Sequence, residues 1–180
     1  MTLTERIDRL LPQTQCGRCG YAGCRPYAEA LAQGEADLNR CPPGGEAGIA
    51  ALSQLLGRTR LPLDPQCGSQ ADPGVALIDP ERCVGCARCL PACPVDAILG
   101  AQRQLHTVIE HDCNGCELCL AACPVDCIDM VPRTADEHAP SSAENRLRYQ
   151  RHRARVATRA QERAQLLEAR QQAALASASQ

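Results

Sequence analysis

Residues 83–94 read CVGCARCLPACP and residues 113–124 read CNGCELCLAACP. The same twelve-residue frame, C-x2-C-x2-C-x3-C-P, thus recurs after an offset of 30 residues, and nine of the fourteen cysteines fall between Cys83 and Cys127. Such a run supplies three thiolates to one iron-sulfur cluster and its fourth, just before the proline, to the other cluster of a two-cluster ferredoxin. A strand over residues 75–79 enters the first frame and another over residues 106–110 enters the second, each frame closing in a short helical turn. Pseudo-twofold packing of two such halves crosses the fourth ligands. One set is then Cys83, Cys86, Cys89 and Cys123, and the other is Cys93, Cys113, Cys116 and Cys119. Cys127 is left over; at the offset of 30 it matches Ala97, so it reads as a small buried hydrophobe. Zinc also takes four thiolates, but its modules pair two C-x2-C knuckles across a spacer, unlike four cysteines in eleven residues.

Upstream, Cys16, Cys19, Cys24 and Cys41 stand at C-x2-C-x4-C-x16-C. Four ligands make a closed site, and this spacing by itself admits iron-sulfur or zinc. Gly17, Gly20 and Gly23 lie among the first three cysteines, where a loop wrapping a bulky centre needs backbone angles that a β-carbon forbids. Three helices surround the site in the sequence. The first covers residues 2–11, with Thr2 and Glu5 spaced as a capping box and Leu3, Ile7, Leu10 and Leu11 on one face. The second starts at Pro26 and stops at Gly34, and the third runs over residues 46–56 to Gly57. Residues 58–73 hold three prolines and little periodicity and read as a linker, with Cys67 a spare thiol inside it.

Composition sets the limits. The 180-residue chain has no Phe and no Trp, so its core must be thin and held by something besides burial, a role metal–thiolate bonds fill. The first residues, MTLTERIDRL, carry acids early and no apolar leader, which predicts a reducing cytoplasmic compartment rather than disulfides. No apolar run approaches the ~20 residues of a membrane-spanning helix. Residues 1–132 carry 10 Arg against 16 acids, and residues 133–180 carry 9 Arg against 5. Three 4Fe-4S clusters, each adding a formal charge of about −2 with its thiolates, would make the head strongly acidic. From Arg133 the sequence turns to Arg, Gln, Ala and Glu. Ser141 and Glu144 are spaced to cap a long helix whose sparse apolar residues predict an exposed or partly disordered arm. Six arginines between Asn145 and Ala160 read as a solvated charge run, with nucleic acid disfavoured because only Tyr149 offers a stacking surface. His106, His111, His138 and His152 are scattered and read as exposed or strand-face residues. No phosphate loop, nucleophile or flavin fingerprint is present, so no catalytic residue and no small-molecule substrate is legible.

Taken together, LPQTQCGRCGYAGCRPYAEAL, the CPPGGE that follows, and the block from Cys83 to Val131 with CPVDAI, LHTVI and CPVDCIDMVP resemble the B subunit of the Rnf (Rsx) electron-transport complex over roughly residues 3–132. The resemblance implies a 4Fe-4S cluster on Cys16, Cys19, Cys24 and Cys41, hence three clusters in all. It also implies a relay role in a membrane complex that links ferredoxin and NAD redox chemistry to ion movement. Partners would be the other subunits, or a ferredoxin, flavoprotein or NAD-linked reductase. Members of that family usually begin with a membrane-spanning helix; none is legible here, which predicts peripheral contact with the cytoplasmic face of the inner membrane. A free ferredoxin-like carrier, and a cluster-containing sensor that binds nucleic acid through its basic tail, are the alternatives. The expected fold is a small α+β iron-sulfur protein. Residues 1–60 form a helical 4Fe-4S domain, 61–73 a linker, 74–132 a duplicated two-cluster ferredoxin-like domain, and 133–180 an Arg/Ala/Gln-rich tail.

Overall fold

The computed structural model describes residues 1–70, 74–134 and 136–178, with side chains described to Leu175; residues 71–73, the end of the expected linker, lie outside it. Local signals set the first three helices. Helix α1 (Leu3–Leu10) is capped reciprocally: the Glu5 N–H donates to the Thr2 hydroxyl at 3.2 Å and the Thr2 N–H to the Glu5 carboxylate at 2.8 Å. Helix α2 (Cys24–Gln33) stops at Gly34 and α3 (Gly45–Leu56) at Gly57, both glycines being left-handed. Their apolar faces meet in one core of Ile7, Leu11, Tyr27, Leu31, Ile49 and Leu52. Tyr27 is its largest buried side chain, and its hydroxyl donates to the Asp37 carbonyl at 2.7 Å. That bond satisfies the polar end of the ring.

The segment after α3 is fastened to this core rather than slack. The Asp64 N–H donates to the Asn39 carbonyl at 2.9 Å, and the Asn39 amide donates to Pro62 at 2.6 Å. Asp64 caps a 3-10 turn over Pro65–Cys67, which buries Cys67 with its thiol 3.7 Å from the Asp64 carboxylate. The expectation of an open-loop thiol is corrected to this extent.

Two antiparallel strand pairs carry the second core. Strand β1 (Gly74–Ile78) pairs with β4 (Ile128–Pro132), placing Ile78 opposite Ile128 and Val75 opposite Val131. Strand β2 (Ile98–Leu99) pairs with the two-residue β3 (Thr107–Val108). Each cysteine frame ends in a short helix, α4 (Cys89–Ala92) or α5 (Leu118–Ala122). The second core therefore joins Val75, Ile78, Val95, Ile98 and Ile128 to cysteines of both frames.

Helix α6 (Ser142–Ala178) starts where the Ser141 and Glu144 box predicts, with the two residues exchanging backbone bonds at 2.8 and 3.3 Å. Its arginine run is half solvated, as expected, at Arg151, Arg153 and Arg159, and departs from that expectation at the other three. Arg146 pairs with buried Asp8 of α1, Arg148 pairs with Asp112, and Arg155 joins His152 on Asp96. The Asn145 side-chain amide donates to the Pro12 carbonyl at 3.2 Å. The first turns of α6 are thus tied to both cores, because carboxylates presented by each lie under the basic side chains. From Val156 to Leu175 the helix is exposed. Among the described residues no helix is long and apolar enough to cross a membrane.

Candidate metal centres

The first cysteine group is assembled by a loop that two glutamines hold in place. Gln13 and Gln15 both adopt left-handed backbone, with φ of 60° and 59°. This conformation costs a non-glycine residue about 1–2 kcal/mol. Their side chains offset that cost. The Gln13 amide donates to the Asp8 carbonyl at 2.6 Å, the Gln15 amide donates to Gln13 at 2.9 Å, and the Gln15 carbonyl oxygen accepts from the Cys24 N–H at 2.9 Å. The end of α1 is thereby wired to the start of α2, where Cys24 sits. Cys16, Cys19 and Cys41 surround it, close enough for each ionised thiol to disfavour ionisation of Cys24 or Cys41. Burial, the larger effect, pushes the Cys24 thiol up to about 11 and Cys41 up to about 12.

Gly23 is the tightest point of the loop. Its φ is +123°, and a β-carbon there would lie 2.7 Å from the Gln15 side-chain oxygen that caps Cys24. Gly23→Ala is therefore expected to lose about four irons per chain, read by anaerobic iron analysis, with the remaining iron retained. Retention of full iron would show that the loop tolerates a side chain there.

The two repeated frames come together around two hollows. One is lined by Cys113, Cys116 and Cys119 of the second frame with Cys93 of the first. The other is lined by Cys83, Cys86 and Cys89 of the first frame with Cys123 of the second. Backbone donors point at sulfur in both: the Ala97 N–H lies 3.2 Å from the Cys93 sulfur, and the Cys127 N–H lies 3.4 Å from that of Cys123. Burial raises Cys89 and Cys93 and pushes Cys116 and Cys119 up to about 12. Cys123 is also pushed up by burial, but the N–H groups of Cys127, Val125 and Asp126, with the Cys127 thiol, hold it below its ordinary value. Metal-free thiols of this kind bind protons at neutral pH, so loading a metal expels them.

Four cysteine sulfurs in each group are the donor chemistry that a 4Fe-4S cluster takes. Among the described residues no three His, Cys, Asp or Glu are gathered closely enough to grip a single ion.

Several residues at these centres escape sequence reasoning. His106 is buried rather than exposed, with Nδ1 3.5 Å from the Cys83 sulfur. Cys127 is buried, yet its sulfur is 3.4 Å from that of Cys123, so it is more than filler. Arg18, between Cys16 and Cys19, pairs with Glu117, between Cys116 and Cys119. Alongside it the Asn114 amide donates to the Thr14 carbonyl at 3.3 Å. The first cysteine loop is consequently docked on the loop of the Cys113 set. His111 and His138 are exposed as expected, their rings stacked with centroids 4.0 Å apart, whereas His152 is half-buried 2.8 Å from Asp96.

Comparison with known proteins agrees with this chemistry. Residues 76–130 match the 4Fe-4S dicluster domain family, and residues 11–43 match the putative Fe-S cluster family. Cysteine-lined hollows inside one matched region and a four-cysteine group wholly inside the other make this a 4Fe-4S iron-sulfur protein. The B subunit of the ion-translocating oxidoreductase complex from Azoarcus sp. (strain BH72) is 62% identical over 130 residues, covering 72% of this chain and 71% of its own. The corresponding protein from Thiobacillus denitrificans is 60% identical over 134 residues, with 74% and 71% covered. The chain belongs to this family of ion-translocating oxidoreductase B subunits. No solved structure matches it.

Proposed function

We propose that this protein relays single electrons through three 4Fe-4S clusters as the B subunit of an ion-translocating oxidoreductase complex. The observation that carries the reading is the crossed lining of the two hollows, three cysteines from one frame and the fourth from the other. Cys16, Cys19, Cys24 and Cys41 would hold one cluster in a domain of residues 1–60, followed by a linker over 61–73. Cys83, Cys86, Cys89 and Cys123 would hold the second, and Cys93, Cys113, Cys116 and Cys119 the third, in a duplicated ferredoxin-like domain of residues 74–132. Residues 133–180 would be the tail, whose helix ties the two together from Asn145 to Arg155.

A bound 4Fe-4S cluster supplies one-electron chemistry without making or breaking bonds at the protein. The chain's residues do the rest. Twelve thiolates would hold the clusters, the N–H groups of Ala97 and Cys127 fix two of the sulfurs, and buried Val95 and Ile128 would keep water off the ligands. The Arg18–Glu117 pair supports an order in which the first site neighbours the Cys113 set, with the Cys83 set beyond it. Partners at the two ends are the other subunits or their redox proteins, met from the cytoplasmic side with peripheral membrane contact.

Anaerobic metal analysis of the full chain tests the reading. About twelve irons per chain, with little zinc, are expected for three clusters. Stoichiometric zinc with little iron overturns it.

A further inference from the structure

The two hollows are built from equivalent positions, and three of those positions break the equivalence: His106 against Ala76, Cys127 against Ala97, and Val84 against Asn114, whose side chain bonds the Thr14 carbonyl and the Cys116 N–H rather than sulfur. Each of the ten residues lining the hollow of the Cys83 set has its counterpart, 30 residues away, in the lining of the other. Where the Cys113 set has Ala76 and Ala97, the Cys83 set has His106 and Cys127. Both replacements reach sulfur, His106 Nδ1 lying 3.5 Å from the Cys83 sulfur and the Cys127 sulfur 3.4 Å from that of Cys123. Backbone N–H groups donate to Cys93 at 3.2 Å and to Cys123 at 3.4 Å, so both sulfurs have backbone donors, and His106 and Cys127 add side-chain contacts on the Cys83 side.

The seat of His106 is itself constructed. Gly100, with φ of +151°, lies against the ring, and a β-carbon there would fall 2.0 Å from its Cδ2. The ring is buried, and among the described residues its Nε2 has no hydrogen-bond partner. An unsatisfied buried nitrogen opposes folding, so nothing in the packing alone favours imidazole over an apolar side chain of similar size. The contact its Nδ1 makes with a ligand sulfur gives it a role. A ligating thiolate only accepts hydrogen bonds, so in the loaded protein Nδ1 and the Cys127 thiol are the donors.

We propose that His106 and Cys127 raise the reduction potential of the cluster held by Cys83, Cys86, Cys89 and Cys123 above that of its pseudo-equivalent. The inference rests on the three-cluster reading above. Hydrogen bonds donated to cluster and ligand sulfur stabilise the added negative charge of the reduced form, and such bonds are among the main determinants of iron-sulfur potentials. One electron lost from the Cys113 side then settles on the Cys83 side, with no proton moved and no other reactant required. His106 and Cys127 are positioning residues in this scheme, acting through Cys83 and Cys123.

An EPR-monitored redox titration of the full, anaerobically reconstituted chain tests it. Cys127→Ala and His106→Leu are each expected to shift the same single transition negative by about tenfold in its one-electron equilibrium, or about 59 mV. The other two transitions stay in place. Cys127→Ser, which keeps a donor, remains near the parent value, and Ala97→Cys shifts a different transition positive. Full iron with unmoved potentials, a positive shift, or shifts of two different transitions by Cys127→Ala and His106→Leu overturns the inference while leaving the cluster reading intact. A parent chain well short of about twelve irons faults the cluster reading instead. Should His106→Leu lose iron, Cys127→Ala and Ala97→Cys decide the question together.

Discussion

Cys93→Ala is expected to remove about four of about twelve irons per chain, and the irons lost are those held by the other frame's cysteines. Its own neighbours in sequence, Cys83, Cys86 and Cys89, are expected to stay loaded. Cys93 ends helix α4 and lines the hollow of Cys113, Cys116 and Cys119, whereas Cys123 ends α5 and lines that of the first frame. Paired substitutions settle which cluster has gone, because ligands of one cluster are not additive and ligands of different clusters are. Cys93→Ala combined with Cys113→Ala should cost no more iron than either alone. Combined with Cys83→Ala it should cost about eight. The reverse pattern would mean that each frame closes on itself. Cys127→Ala, by contrast, should leave iron content at the parent value, since it donates to Cys123 rather than replacing it.

Stripping the iron anaerobically with a chelator is expected to abolish most of the ordered structure between residues 74 and 132. Five of the twelve buried residues of that core are cysteines, and its other members are Val, Ile and Ala. Each such apolar side chain contributes at most about 1.5–3 kcal/mol on burial. The strands β2 and β3 are two residues long, and strand pairs that short do not stand alone. Metal ligation at closed cysteine sites is worth on the order of 10 kcal/mol, comparable with the whole stability of a small domain. The helical part should resist longer, because α1, α2 and α3 also pack around Tyr27, Ile7 and Leu52. Far-UV circular dichroism and hydrogen exchange on the chelated protein read the difference. Unchanged protection of β1 and β4 amides after iron loss would show that the apolar core suffices.

What was legible in the sequence was local. Caps such as Thr2 with Glu5 and stops such as Gly34 and Gly57 act within a few residues, so α1, α2 and α3 were placed within a residue or two. The cysteine frames were legible because their spacing is the chemistry. Contacts between distant segments were not. Arg146 and Asp8 are 138 residues apart, and nothing near either forecasts that they meet. Gln13 and Gln15 look like ordinary polar residues until their left-handed backbone is seen to be held by Asp8 and Cys24. His106 reads as a strand residue because its seat depends on Gly100 and on the pairing of β2 with β3. One signal was available even so: laying the two frames side by side shows Ala76 against His106 and Ala97 against Cys127.

Helix α6 has a consequence of its own. Its base is pinned to the helical core through Asp8 and to the cysteine core through Asp112 and Asp96, while residues 156–175 are exposed. The helix is thus a handle with a two-point mount. A partner that grasped the exposed part of the helix would thereby take hold of both halves of the molecule at once.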